Sequence, residues 1–217
     1  MKKLCIFDLD GTLADTLESL VFSVQETLKE MNLTPISAKQ CQSFVGNGAR
    51  NLMELSIRQA GDTEGLRIDE AMECYARIFD DNCTYHVVPY DGMKGLIGKL
   101  KEKEILLAVL SNKPHRQTVK VVESVFGKKS FDLIFGQRDG VKRKPDPEGI
   151  YEILKLMDVK ASECIYVGDS EVDVVTGKNA GVDTLAATWG FRTKEELEDA
   201  GAKHLLETPD EILKYIK

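Results

Sequence analysis

Leu4-Cys5-Ile6-Phe7-Asp8-Leu9-Asp10-Gly11-Thr12 sets four apolar residues directly before two carboxylates, one residue apart, and a glycine. A run of four is too short for a helix and lacks the alternation of a half-exposed strand, so it reads as a short strand buried on both faces. Strands of that kind belong to parallel sheets, whose ligands gather beyond the carboxyl ends of the strands. The same pattern recurs along the chain: an apolar run, a small or polar residue, then an amphipathic helix. Ile105 to Leu110, Leu133 to Phe135, Cys164 to Val167 and Thr184 to Ala187 read as further buried strands, with His204 to Leu206 as a candidate edge strand. Between them lie helical spacings such as Met93, Leu96, Ile97 and Leu100, then Ile150, Ile153, Leu154 and Met157.

Strands alternating with helices predict an α/β fold: a doubly wound, mostly parallel, Rossmann-like sheet covered on both faces. From about Asp15 to Val88 that rhythm stops and only helix signals remain. Leu17, Leu20, Val21, Val24 and Leu28 follow a candidate cap at Asp15, with Glu18 three residues on. Ser37 with Gln40 predicts a second capping box, Leu52, Leu55 and Gln59 continue a helical run, and a further helix is expected from about Asp69 to Asp80. An insertion this long far exceeds what a crossover needs. Residues 15–87 are therefore expected to form an all-helical cap subdomain, hinged near 13–16 and 84–90, on a core made of residues 1–14 and 88–217. Thr193 with Glu196, and Thr208 with Pro209 and Glu211, predict two more capped turns near the C-terminus.

With 29 Lys and Arg against 36 Asp and Glu, the 217-residue chain carries a net charge of −7. That balance argues against nucleic acid or anionic lipid as a partner, since little counterion release is available. Cys5, Cys41, Cys74, Cys83 and Cys164 are odd in number and form no C-x-x-C pair, a pattern of reduced thiols rather than of a disulfide framework. Leu4 to Phe7 is too short for a signal peptide, and no apolar stretch approaches the roughly 18 residues of a membrane span. A cytoplasmic monomer or weak homodimer is expected, with no nucleic-acid or membrane partner.

The chemistry is sought at the strand ends. Asp8 and Asp10 follow the first strand, Ser111, Asn112 and Lys113 the second, Lys142, Arg143 and Lys144 the third, and Asp169 and Asp173 the fourth. Taken singly, these read as turn residues, caps and an acidic helix start. Taken together, these carboxylates and a lysine at one sheet edge repel or strand one another unless a divalent cation and an anion share the space. That set suits phosphoryl transfer through a covalent aspartyl phosphate: Mg²⁺ takes hard oxygen ligands, and a phosphoryl group needs metal, ammonium and hydroxyl or amide donors around it. The spacing of Asp8 and Asp10 suits a division of labour between nucleophile and acid/base.

Phe7-Asp8-Leu9-Asp10-Gly11-Thr12-Leu13, Leu110-Ser111-Asn112-Lys113-Pro114, Lys144-Pro145-Asp146-Pro147 and Val167-Gly168-Asp169-Ser170-Glu171-Val172-Asp173 resemble, in order and separation, the four motifs of haloacid-dehalogenase-superfamily phosphatases. The helical insertion resembles that superfamily's small cap. Val45-Gly46-Asn47-Gly48-Ala49-Arg50 and Thr188-Trp189-Gly190-Phe191 resemble its phosphoglycolate phosphatase group. The resemblance implies Asp8 as nucleophile and Mg²⁺ ligand, and Asp10 as general acid/base whose main-chain carbonyl also binds the metal. It further implies Ser111, Asn112 and Lys144 as holders of the phosphoryl oxygens, Asp169 as a metal ligand, and Asp173 as a ligand through water or an orienting group. The expected partner is a small phosphorylated metabolite, with 2-phosphoglycolate foremost. Gly48 permits close backbone approach in the cap loop, and Arg50 is a candidate for pairing with a substrate carboxylate or second phosphate. Lys113 and His115 are expected on the surface, and Trp189 in core packing. Pyrophosphate hydrolysis and a phosphosugar mutase fit the same residues. A receiver-like phosphorylated switch fits the acids and lysine but not the helical insertion, and a silent phosphometabolite-binding protein leaves the reactive set unused.

Overall fold

The computed structural model describes residues 1–216. Its strands are β1 (Leu4–Phe7), β2 (Ala14–Asp15), β3 (Val88–Pro89), β4 (Leu106–Pro114), β5 (Leu133–Gln137), β6 (Cys164–Gly168), β7 (Asp183–Ala187) and β8 (Leu205–Leu206). Six of them form one sheet in the order β5-β4-β1-β6-β7-β8, parallel at every pairing. β1 sits in the middle because all four of its side chains are fully buried. Leu4, Ile6 and Phe7 each contribute about 1.5–3 kcal/mol on leaving water, an incentive that an edge position would forfeit. Odd and even residues of β1 separate into two apolar clusters, one on each sheet face: Cys5 and Phe7 in one, Leu4 and Ile6 in the other.

The chain first winds outward from β1 to β4 and β5, then returns to β6 on the other side of β1. The strand order therefore reverses at β1/β6, and the carboxyl ends there open into a crevice. Four helices lie between β2 and β3: α1 (Leu17–Glu30), α2 (Ala38–Phe44), α3 (Ala49–Gln59) and α4 (Ile68–Asn82). The remaining helices, α5 (Met93–Glu102), α6 (His115–Phe126), α7 (Glu148–Met157), α8 (Glu171–Ala180) and α9 (Lys194–Asp199), cover the sheet. Among the described residues no helix is long and apolar enough to cross a membrane. All five cysteines are free.

Three local expectations need correction. The stretch expected to lack strands is bounded by a two-residue antiparallel pair, Ala14 with Pro89 and Asp15 with Val88, which joins the two ends of the helical insertion. The second sheet strand does not stop at Leu110 but runs on to Pro114, with a register irregularity after Leu110. Its polar tail is buried, so hydropathy alone misplaces its end. Asp15 is not the N-cap of α1; Thr16 holds that position and spends its hydroxyl elsewhere. The boxes at Ser37/Gln40 and Thr193/Glu196 form as expected, and the one at Thr208/Glu211 opens a 3₁₀ turn rather than an α-helix.

Candidate active site

Asp8 follows β1 directly and its N–H donates to Val167 O at 2.8 Å, which ties it to the neighbouring β6. Asp169 follows β6, and Asp173 lies one turn into α8. Carboxylate oxygens from Asp8, Asp169 and Asp173 lie within 4.8 Å of one another, all buried. Lys144 reaches between them from the loop before α7. Its Nζ stands 3.0 Å from Asp8 Oδ1 and 2.7 Å from Asp173 Oδ1, and donates to the Tyr166 hydroxyl at 3.0 Å.

Each carboxylate is oriented by its own donors. Asp173 accepts from Lys144 and Tyr166 on Oδ1, and from the Ser170 hydroxyl and N–H on Oδ2, the latter being the capping box of α8. Asp169 accepts from Thr12 Oγ1 at 2.9 Å and Phe191 N–H at 2.7 Å. Asp10 receives the Thr16 hydroxyl at 2.6 Å and the Lys113 ammonium at 2.5 Å, both on Oδ1. Gly11 makes this close assembly possible: its φ is +82°, and a side chain there would collide with the Asp169 carboxylate.

Asn112 ties the loops together rather than standing alone in the crevice. Its Oδ1 accepts from Lys144 N at 2.9 Å, and its Nδ2 donates to Lys144 O at 3.0 Å and to Gly46 O at 2.9 Å. Gly46 belongs to the α2–α3 loop, which is also held by Arg143 Nη1 on Asn47 O and Arg192 Nη2 on Val45 O. Beneath that loop a cavity of about 50 Å³ is lined by Asp8, Asp10, Ser111, Lys113, Gly48 and Phe79, among others. This is room for a few waters or a compact anion.

Three buried carboxylates against one ammonium leave an excess of negative charge. Burial pushes Asp8 well above the carboxylate range; Lys144 pulls it back, while Asp173, Asp169 and Asp10 add to the rise. Asp169 is pushed up to about 7 by burial and by Asp173. Burial acts on Asp173 in the same sense, but the Lys144 ammonium and the hydrogen bonds from Lys144, Ser170 and Tyr166 outweigh it and hold Asp173 below its ordinary value. For Lys144, burial lowers the ammonium's pKa and the paired Asp173 and Asp8 more than restore it. Three carboxylates, two of them pushed up by burial, are hard oxygen donors that fit a hard divalent cation better than a soft metal.

Residues 5–187 match the model of the haloacid dehalogenase-like hydrolases. The chain belongs to that family. The phosphoglycolate phosphatase of Colwellia psychrerythraea is 26% identical over 220 residues, which cover 100% of this chain and 97% of that protein. That of Aquifex aeolicus is 29% identical over 189 residues, 87% of this chain and 86% of that one. Among solved structures, a predicted phosphatase from Clostridium acetobutylicum aligns at a TM-score of 0.86 and 26% identity, covering 100% of this chain and 98% of that chain. A predicted phosphoglycolate phosphatase from Haemophilus somnus aligns at 0.92 over 100% of this chain and 98% of that one; at 24% identity it speaks for the fold alone. This haloacid dehalogenase-like hydrolase is a phosphatase, a phosphoric monoester hydrolase.

In this hydrolase Asp8, Asp10, Ser111, Asn112, Lys144, Asp169 and Asp173 converge on one crevice, and Gly48 lines it. Arg50 does not join them. Its guanidinium pairs with Asp69 Oδ1 at 2.9 Å on the cap surface, half-exposed. The expectation for Lys113 is reversed: its side chain is only 2% exposed and faces Asp10. Trp189 packs against the core and donates to Thr12 O at 3.1 Å. Sequence reasoning missed Tyr166, Thr12, Thr16 and Arg192. Tyr166 carried one usable signal, a phenol in the middle of a fully buried strand, because a buried hydroxyl demands a partner.

Proposed function

We propose that this phosphatase hydrolyses small phosphomonoesters, 2-phosphoglycolate foremost, with Mg²⁺ and through an aspartyl phosphate on Asp8. The observation that carries the proposal is the buried cluster of Asp8, Asp169 and Asp173, met by the single ammonium of Lys144 on Asp8 and Asp173. Asp8 attacks phosphorus, and a P–O bond forms to its carboxylate as the bond to the substrate alkoxide breaks. Asp10 gives that alkoxide its proton, then takes one from the water that cleaves the acyl phosphate. With Thr16 and Lys113 both on Asp10 Oδ1, the transferred proton is assigned to Oδ2. Ser111 and Lys144 donate to the phosphoryl oxygens, and Asn112 keeps the Lys144 backbone and the cap loop in register. Asp8, the Asp10 carbonyl and Asp169 would hold Mg²⁺, with Asp173 as an orienting group because both of its oxygens are already engaged. When bound, the ion offsets the negative charge of the carboxylates and of the transferring phosphoryl group. Residues 15–87 act as the cap that closes the crevice and selects the alcohol.

Phosphate release tests the reading directly. 2-Phosphoglycolate, pyrophosphate and several sugar phosphates are offered with Mg²⁺ and with EDTA. Mg²⁺-dependent release with 2-phosphoglycolate preferred is expected; strong release of another member would displace it as substrate, and release unaffected by EDTA would remove the metal.

Asp169 supplies a pH test. In the unfolded chain it titrates near 4, and in the fold at about 7. Between those values the folded protein holds a proton that the unfolded chain has lost. Asp169 therefore costs stability progressively as pH rises across that window, and in full above it. A cation that displaces the proton relieves the cost. Mg²⁺ is expected to raise Tm more at about pH 8 than at about pH 5.5, and Asp169→Asn should shrink the difference. An equal rise at both pH values in the unaltered protein would count against Asp169 as a ligand.

A further inference from the structure

Two cations line the cavity, Lys113 and Arg192, against the carboxylates of Asp8, Asp10 and Asp169. Arg192 is committed: it gives Nε to Glu171 at 2.8 Å, Nη2 to Val45 O at 2.7 Å and Nη1 to Gln42 O at 3.5 Å. Lys113 is not. Its ammonium faces one anionic partner, Asp10 Oδ1, and stands 5.0 Å from the centroid of the Phe79 ring. Phe79 lies on α4 and is itself 2% exposed, so the inserted helices shield this ammonium from water. An ammonium carries three N–H donors, and one carboxylate oxygen and one ring face do not exhaust them.

We propose that Lys113 is the specificity residue of the site: its ammonium binds a carboxylate on the alcohol portion of the substrate, so that phosphomonoesters of small hydroxy acids are preferred. The assignment rests on the phosphatase reading above and supplies what Arg50, on the cap surface, does not. A substrate that brings a carboxylate among three acidic side chains is repelled unless a cation meets it. In a small, water-shielded cavity a charge-assisted hydrogen bond to such a cation counts for more than at the surface. Lys113 also follows Ser111 and Asn112 on the same strand end, which sets it close to the phosphoryl position, as a short molecule requires. The released alcohol would itself carry the carboxylate, so the reaction that consumes it must be one acting on a small hydroxy acid.

The test compares kcat/KM for 2-phosphoglycolate and for ethyl phosphate, which differ in the carboxylate, in the wild-type protein and in Lys113→Met. The wild type should favour 2-phosphoglycolate, and the substitution should cut that ratio by about 10- to 100-fold, the range expected for one hydrogen bond to a charged group. Weakened support of Asp10 lowers both substrates together and leaves the ratio unchanged, so the ratio separates recognition from positioning. Lys113→Arg should keep much of the preference. Lys113→Gln, which retains donors towards Asp10 but no charge, gives the same reading if the methionine variant does not fold. A preference that survives loss of the charge overturns the assignment of Lys113 alone. A wild type indifferent to the carboxylate overturns the hydroxy-acid reading and Lys113 with it.

Discussion

Asp8→Asn is expected to lower turnover by about four orders of magnitude or more while raising the Tm of the metal-free protein. The two effects have one origin. Asn matches Asp in volume and can still accept from Lys144 at the 3.0 Å contact, so the local packing survives. What it removes is the negative charge that attacks phosphorus and that burial and three neighbouring carboxylates disfavour. A carboxyl whose folded pKa is raised costs stability increasingly as pH rises towards that value, so the gain in Tm should be larger at neutral pH than at pH near 4. Acid-quenched single turnovers with labelled substrate should trap phosphate on the wild-type protein and none on the variant. Near-normal turnover by Asp8→Asn, or label trapped on it, would remove Asp8 as the nucleophile.

Lys144→Met should remove activity and also destabilise the fold, by about 3–5 kcal/mol. The side chain is 3% exposed and is the cation shared by Asp8 and Asp173. Methionine fills much of the lysine stem's volume, so the loss would be electrostatic: a buried carboxylate pair left without its counter-charge. The companion prediction isolates that cause. Lys144→Met combined with Asp173→Asn should regain part of the lost stability, because it deletes one stranded charge, and none of the activity. Urea denaturation without metal measures both. A single variant within about 1 kcal/mol of wild type, or a double variant no more stable than the single, would show that this ion pair does not organise the site.

Much of this was readable in the linear chain because it depends on local pattern. Leu4 to Phe7 could only be a doubly buried strand, and the recurrence of such runs before Ser111, Asp169 and their neighbours implied a parallel sheet with chemistry at one edge. The capping boxes at Ser37 and Thr193 form from residues three apart, and no distant contact is needed to bring them together. The end of β4 was not legible, since hydropathy cannot tell a polar residue buried in a site from one in a loop. Nor could the choice between Arg50 and Lys113 be read. Both are cations beside a glycine-rich or polar loop, and nothing in their immediate neighbours distinguishes them.

The sequence by itself therefore indicated the α/β class and the helical insertion, and strand periodicity and chain order set Asp8, Asp10, Ser111, Asp169, Asp173 and the run Lys142 to Lys144 at successive strand ends. The choice of Lys144 within that run came from the family resemblance. Tertiary structure alone decided how these charges share their partners. Strand order brings Asp169 beside Asp8 across the β1/β6 reversal, and Lys144 lies nearer Asp173 than Asp8. α4 sets Phe79 over Lys113, while Asp69 pairs with Arg50 on the cap surface. Burial and the distance to an opposite charge set which carboxylate keeps its proton and which cation is left to meet a substrate, and both quantities depend on segments remote in the chain.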